Sequence, residues 1–288
     1  MTAPRPVRIV TDSGSDLPAG VAESLQITIV PLVVLFGSQA IADPRLTPDA
    51  FWALAERSPT PPGTSQPSLG AFHHAFQALV QEGYDVICLT ITSRHSGTYS
   101  TACAAARPFG EHVTVIDSRA LSMGTGYAAL EAARMALHGE PRQAIVSRME
   151  SLRERIRILI HLESLEQVRQ GGRAAMLMPL LDRLARAMAL KTALTLVEGE
   201  LRLLGVARST GKSLIRMAQQ IVALGPLEQL IVMHVRAPEF AERLLDMLAQ
   251  AVPVAQERIT VGEAGPVLAC HGGRGVVGVG AWPLSAGH

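Results

Sequence analysis

Lysine is almost missing from this chain. Only Lys191 and Lys212 occur among 26 basic residues, the rest being arginine, and 25 acidic residues leave a formal net charge of +1. A balance this even lacks the clearly basic face of a nucleic-acid binder. Aromatic residues, at 4%, are too few for a base-stacking platform. The arginine bias reads as genome composition. Cysteine is equally sparse: Cys88, Cys103 and Cys270 stand isolated, without paired spacing, which excludes a disulfide framework or a cysteine zinc site. Unpaired thiols fit a reducing cytoplasm. The opening stretch MTAPRPVRIVTDS has no apolar core of a secretion signal. The longest apolar run, ITIVPLVVLF, spans about half a membrane crossing. These absences predict a soluble, cytoplasmic protein without a structural metal. With 288 residues, 48% of them hydrophobic, the chain can bury a substantial core.

The first half alternates strand and helix patterns. Strands are expected at VRIV (7–10), ITIVPLVVLF (27–36, kinked or at an edge because of Pro31), DVICLTI (85–91) and HVTVID (112–117). Asp16 and Pro18 suit the cap and first turn of one helix, Thr47-Pro48 the opening of another, and Ser68 the cap of a third. SPTPPGTSQPS (58–68) reads as a stretch that no regular element accommodates. Strands separated by helices of this length indicate a parallel sheet covered on both faces. The second half differs. LKTALTLVEGELRLLGVA holds two apolar runs around Glu198-Gly199-Glu200, the pattern of a β-hairpin, beside further strand and helix units. The expectation is an α/β chain with a parallel-sheet domain over 1–150 and a second α/β domain with a mixed sheet over 151–288.

Two nucleotide motifs are imitated and fail. GVARSTGKS (205–213) ends like a P-loop, but Gly205 lies one residue too early for the count that aims successive N–H groups at a phosphate. GTGYAA (124–129) fits a dinucleotide fingerprint, yet its strand stops at Asp117 and no acidic strand end follows to hold a ribose. No G-x-S-x-G elbow occurs. His73-His74 lacks a well-spaced carboxylate and reads as a surface pair.

ICLTITSRHSGTYSTA (87–102) is different: an apolar strand opens into hydroxyls, a glycine and a helix of small residues. Ser96 there either caps the helix or, with the helix N–H groups, binds an anion.

Six motifs in order decide what the chain resembles: IVTDSGSDLP (9–18), PGTSQPS (62–68), SRHSGTYSTA (93–102), VIDSRALSMGTG (115–126), LEQVRQGGR (165–173) and VARSTGK (206–212). The set resembles the DegV family, the fatty-acid-binding subunits of the bacterial fatty acid kinase system, over nearly the whole chain. The resemblance implies a two-domain fold holding one long-chain fatty acid in an apolar tunnel. It implies that Thr64 and Ser96 meet the carboxylate, and His271 matches the family's late histidine; from the residues themselves, the Gly97 and Thr98 N–H groups are expected to assist from the helix start. Gly171, Gly172 and Arg173 match the family's G-G-R turn, and Arg173 and Arg208 are expected to face the ligand or a partner. That partner is a separate kinase catalytic subunit that phosphorylates the bound acid for phospholipid metabolism. The binding subunit is then a carrier, not an enzyme, with no cofactor, no nucleic-acid partner and at most transient contact with a membrane surface. The alternative is a phosphotransferase-type α/β enzyme acting on a small anionic substrate. The chain departs from the family pattern at His95, where leucine or isoleucine is usual, at Thr192 and Ala174, and at Arg274, where the H-x-G-P-G turn reads HGGRG.

Overall fold

The computed structural model describes residues 5–164, 190–249, 251, 252, 254 and 256–284. Arg173 and the G-G-R turn, with Ala174, lie outside the described residues. The N-terminal half builds a four-stranded parallel sheet in the order β2-β1-β6-β7, from β1 (Val7–Asp12), β2 (Thr28–Val30), β6 (Asp85–Thr90) and β7 (Val113–Asp117). Helices α1 (Ala19–Ser24), α3 (Leu69–Gln81), α4 (Thr98–Ala106), α5 (Met123–Leu137) and α6 (Arg142–Arg155) accompany it. Val10, Val86 and Cys88 pack under α3 and α4 with Phe72, Phe76 and Ala102, while Ile9, Ile87 and Leu89 face α5 and α6. The strands are thus apolar on both faces, as a covered parallel sheet requires.

ITIVPLVVLF does not form one strand. Pro31 cannot donate to a ladder, and the chain leaves the parallel sheet after Val30 to start β3 (Val33–Phe36) in a second, antiparallel sheet with β4 (Gln39–Ala42) and β5 (Gly63–Ser65). β5 falls within the segment expected to be irregular. Thr47 and Ser68 cap α2 (Pro48–Arg57) and α3 by accepting from the Ala50 and Ala71 N–H groups. Asp16 does not cap α1, whose N-cap is Pro18. It adopts a left-handed conformation, and its carboxylate is spent elsewhere.

The second half forms a six-stranded mixed sheet in the order β10-β9-β8-β13-β11-β12. Its strands are β8 (Arg157–Leu162), β9 (Lys191–Val197), β10 (Glu200–Ala207), β11 (Leu227–Val235), β12 (Ile259–Glu263) and β13 (Val276–Pro283). The hairpin β9–β10 turns on Glu198 and Gly199, both at positive φ, the two-residue turn whose twist matches antiparallel strands. One sheet face, through Leu159, Val232, Val277 and Val279, packs on α7 (Thr210–Val222) and α8 (Pro238–Ala249). The other face looks toward the parallel sheet, and α9 (Pro266–Gly272) lies beside it. A core running from Val7 to Trp282 joins the two halves across α6, which spans residue 150.

The P-loop-like stretch is dismantled by this topology. Gly205 sits inside β10 opposite Ala193, and Ser209 caps α7 by accepting from the Lys212 N–H.

Candidate functional site

A large apolar cavity lies between the carboxyl ends of the parallel strands and the inner face of the mixed sheet. Its empty space, counted together with the open solvent at its mouth, is about 1340 Å³. Gly14 and Ile91 reach it from just beyond β1 and β6, Leu121 to Gly124 from the start of α5, and Ile158, Ile160 and Leu162 from β8. Open α/β sheets place ligands in this crevice. Thr64, Gln66, His95, Ser96 and His271 are polar residues on its lining.

Those polar residues come from separate elements. Thr64 belongs to β5 and pairs with Val34 of β3. It therefore reaches the cavity from the small antiparallel sheet and not from the carboxyl end of a parallel strand. Its Oγ1 lies 2.8 Å from Nε2 of His271, in the last turn of α9. Ser96 follows β6; its Oγ is 2.7 Å from Thr98 Oγ1 and accepts from the Thr98 N–H at 3.3 Å. The helix N-cap itself is Gly97, which has no side chain to offer.

The structure thus brings Thr64, Ser96 and His271 to one cavity. Gly97 and Thr98 are set back from its lining, and Thr98 is fully buried. Gln66, which sequence reasoning passed over although it stands in the T-S-Q-P stretch, explains the retreat of Gly97. Its Nε2 donates to Thr101 Oγ1 at 2.7 Å. Its Oε1 would stand 2.0 Å from a Cβ at position 97, so only glycine lets this side chain lie across the helix start.

The TDSGSD segment is the frame beneath the cavity. Asp12 accepts from the Gly14 N–H at 3.0 Å and the Ile91 N–H at 2.8 Å, tying the ends of β1 and β6 together. Ser13 Oγ accepts from the Leu32 N–H at 2.9 Å. Asp16 accepts from the Ser122 hydroxyl, and from the Gly265 N–H at 3.0 Å where α9 begins. Ser122 holds φ near 52°, a strained value for a serine, at the cavity wall. Burial pushes the carboxyls of Asp12 and Asp16 up to about 7, and that of Asp43 up to about 6. Hydrogen bonds oppose these rises without cancelling them.

The departures from the family pattern resolve differently. His95 lines the cavity, and its Nε2 accepts the Leu201 N–H at 3.1 Å, joining the helix entry to β10. Thr192 is fully buried in β9 between Leu162 and Val206. Arg274 points away: its guanidinium lies 4.5 Å from the centre of the Trp52 ring and 2.5 Å from Glu56, on the outside of α2. Arg208 is exposed between β10 and α7. Among the described residues no group of three or more His, Cys, Asp or Glu could hold a metal ion. No described helix is long and apolar enough to cross a membrane.

A parallel and a mixed sheet enclosing an apolar cavity with a polar rim define the class of the fold. The chain belongs to the DegV family: the family model described as "Uncharacterised protein, DegV family" matches residues 6–284. A DegV domain-containing protein of Streptomyces coelicolor is 31% identical over 278 residues, 96% of this chain and 98% of that one. One from Staphylococcus aureus is 30% identical over 275 residues, 94% and 96% of the two chains. Among solved structures, a Thermus thermophilus DegV family protein described as fatty acid binding superposes with a TM-score of 0.87 at 30% identity, covering 97% of this chain and all (100%) of that one. A Streptococcus agalactiae DegV family protein, also described as fatty acid binding, shares the fold with a TM-score of 0.85 at 24% identity, covering 97% of this chain and 99% of that one.

Proposed function

We propose that this protein holds one long-chain fatty acid in the cavity and presents its carboxylate to a separate kinase subunit for phosphorylation. The observation that carries the reading is the Thr64–His271 pair, a polar contact of 2.8 Å on the polar rim of a largely apolar cavity. A buried carboxylate needs donors, and Thr64, Ser96 and His271 supply them, each hydrogen bond to a charged group being worth about 1.5–3 kcal/mol. Gly97 and Thr98 act one step behind, Thr98 through its contact with Ser96 Oγ. The tail gains about 0.8 kcal/mol per buried methylene, so a long chain dominates the affinity. The fatty acid described for the Thermus relative supports this ligand class.

On this reading the protein is a cytoplasmic carrier and not an enzyme, and the acyl phosphate feeds phospholipid metabolism. Its two units, residues 1–150 and 151–288, meet at the ligand. Arg173 and Arg208 face the kinase or the exposed end of the ligand. The test is reconstitution. Protein loaded with oleate is mixed with ATP and a bacterial fatty acid kinase catalytic subunit, and acyl phosphate is trapped with hydroxylamine. Acyl hydroxamate is expected from the complete mixture and from neither protein alone. Its absence from the complete mixture, with oleate still bound, overturns presentation to a kinase.

A further inference from the structure

β13 carries an alternation that its neighbours do not. Val277, Val279 and Ala281 point toward α7 and α8 and are fully buried there. On the opposite face the same strand presents Val276, Gly278 and Gly280 to the cavity, with Trp282 next on that face, in the core just beyond the cavity's lining. The strands on either side present bulk at those levels. Gly278 is flanked by Ile160 of β8 and Met233 of β11, and Gly280 by Ile158 and Ile231. All four flanking residues line the cavity. Two missing side chains between two ridges leave a trough one strand wide, its walls roughly 10 Å apart between backbones at two strand spacings.

The trough is open space. A Cβ built at Gly278 meets only the Leu159 and Met233 carbonyl oxygens, both at 4.0 Å, and one at Gly280 meets the Trp282 ring at 3.5 Å. Neither glycine has a positive φ, so backbone conformation does not require glycine at either position. Interiors normally fill such space. The ends of the trough differ. At the Val276 end stands His271, the last-turn residue of α9, with Thr64 on its imidazole. At the other end Trp282 is buried, its ring 4.6 Å from that of Tyr127. Val276 to Trp282 spans roughly 20 Å of strand.

We infer that Gly278 and Gly280 are the groove for the acyl tail and Trp282 its floor, so that these three residues set the chain length accepted. This rests on the fatty-acid reading and adds to it a path, a direction and a length limit. The carboxylate sits at Thr64 and His271, and the tail runs along β13 between the Ile158–Ile160 and Ile231–Met233 ridges.

The experiment is a chain-length profile. Binding of decanoate, laurate, palmitate and stearate is titrated for the unaltered protein, Gly280→Ala, Gly278→Ala and Gly278→Val, with a thermal melt of each. Valine favours strands, and the alanine variants cover the case in which Gly278→Val does not fold. Filling the trough at Gly278, roughly 7 Å from the Val276 end, should weaken every acid by about tenfold or more, because each tail crosses it. Gly280→Ala, roughly 13 Å along, should weaken palmitate and stearate by about tenfold or more and leave decanoate nearly unchanged, so that the preferred length moves down. A folded Gly280→Ala whose profile is unchanged or lowered equally at every length, or a folded Gly278 variant that binds every acid normally, overturns the inference while leaving the fatty-acid reading intact. Failure of the unaltered protein to bind any of the acids overturns both.

Discussion

Thr64 Oγ1 and His271 Nε2 lie 2.8 Å apart although 207 residues separate them in the chain. The contact joins β5 of the small sheet to the end of α9, and the cavity opens beside it. Removing the hydroxyl while keeping the branched shape, as in Thr64→Val, should weaken a fatty acid by about 1.5–3 kcal/mol, roughly ten- to a hundredfold. Titration calorimetry checks this. Unchanged affinity would mean that the pair is only a structural link.

Ser96→Ala separates ligand binding from helix capping. The Ser96 hydroxyl faces Thr98 through both its side chain and its N–H, and Gly97 is the formal N-cap. A carboxylate role predicts a loss of affinity like that of Thr64→Val. A pure capping role predicts a stability loss of about 1 kcal/mol with affinity intact. Ser93→Ala, on the neighbouring hydroxyl, should alter affinity much less. Melts and titrations of both variants decide.

The buried carboxyls give the protein a stability slope with pH. Burial raises Asp43 from 3.8 to about 6 and Asp12 from 3.8 to about 7. Between about pH 4 and these values an unfolded chain has released protons that the fold still holds. The contribution of these groups is therefore whole below about pH 4 and declines as pH rises toward 7. Asparagine carries a donor and an acceptor, as the protonated acid does. Asp43→Asn should thus flatten part of the decline in melting temperature between about pH 4 and 6. Equal slopes for the two proteins would contradict the burial assigned to Asp43.

Arg274, the most conspicuous departure from the family pattern, should prove silent in binding. It stacks on Trp52 and pairs with Glu56 on the outer side of α2, and its side chain is 53% exposed. Exposed contacts of this kind contribute about 1 kcal/mol or less. Arg274→Ala should lower the melting temperature slightly and leave fatty-acid affinity unchanged. A tenfold loss of affinity, on the order of 1.4 kcal/mol, would place the residue at the headgroup instead.

Arg208 should behave in the opposite sense in a reconstituted system. It is exposed at the junction of β10 and α7, where core packing asks nothing of it. Arg208→Ala is expected to fold and bind fatty acid normally but to slow acyl phosphate formation with the kinase subunit. A variant that unfolds would make the residue structural, and full kinase activity would remove it from the partner surface.

What the sequence discloses follows from how local each signal is. The hairpin was legible because Glu198-Gly199 is a turn signal between two apolar runs, and the caps at Thr47 and Ser68 because capping is a matter of three residues. β5 was not, since a strand of three residues beside prolines has no period to detect. Asp16 was misread because its shape suits a cap, while its partner at Gly265 lies 249 residues away. Gln66 was missed for the same reason: its meaning lies in Gly97, which makes room for it. Thr64 and Ser96 are named by the ordered motifs and His271 by its match to the family's late histidine, and nothing in their local sequence places Thr64 against His271.

The most direct measurement is the identity of what the purified protein carries. Lipids extracted from protein purified without detergent, analysed by mass spectrometry against a Thr64→Val, Ser96→Ala double variant, should yield a long-chain fatty acid in near-stoichiometric amount. The variant should yield much less. A protein that carries no fatty acid and takes none up on titration, or that instead carries a nucleotide or sugar phosphate, would contradict the account.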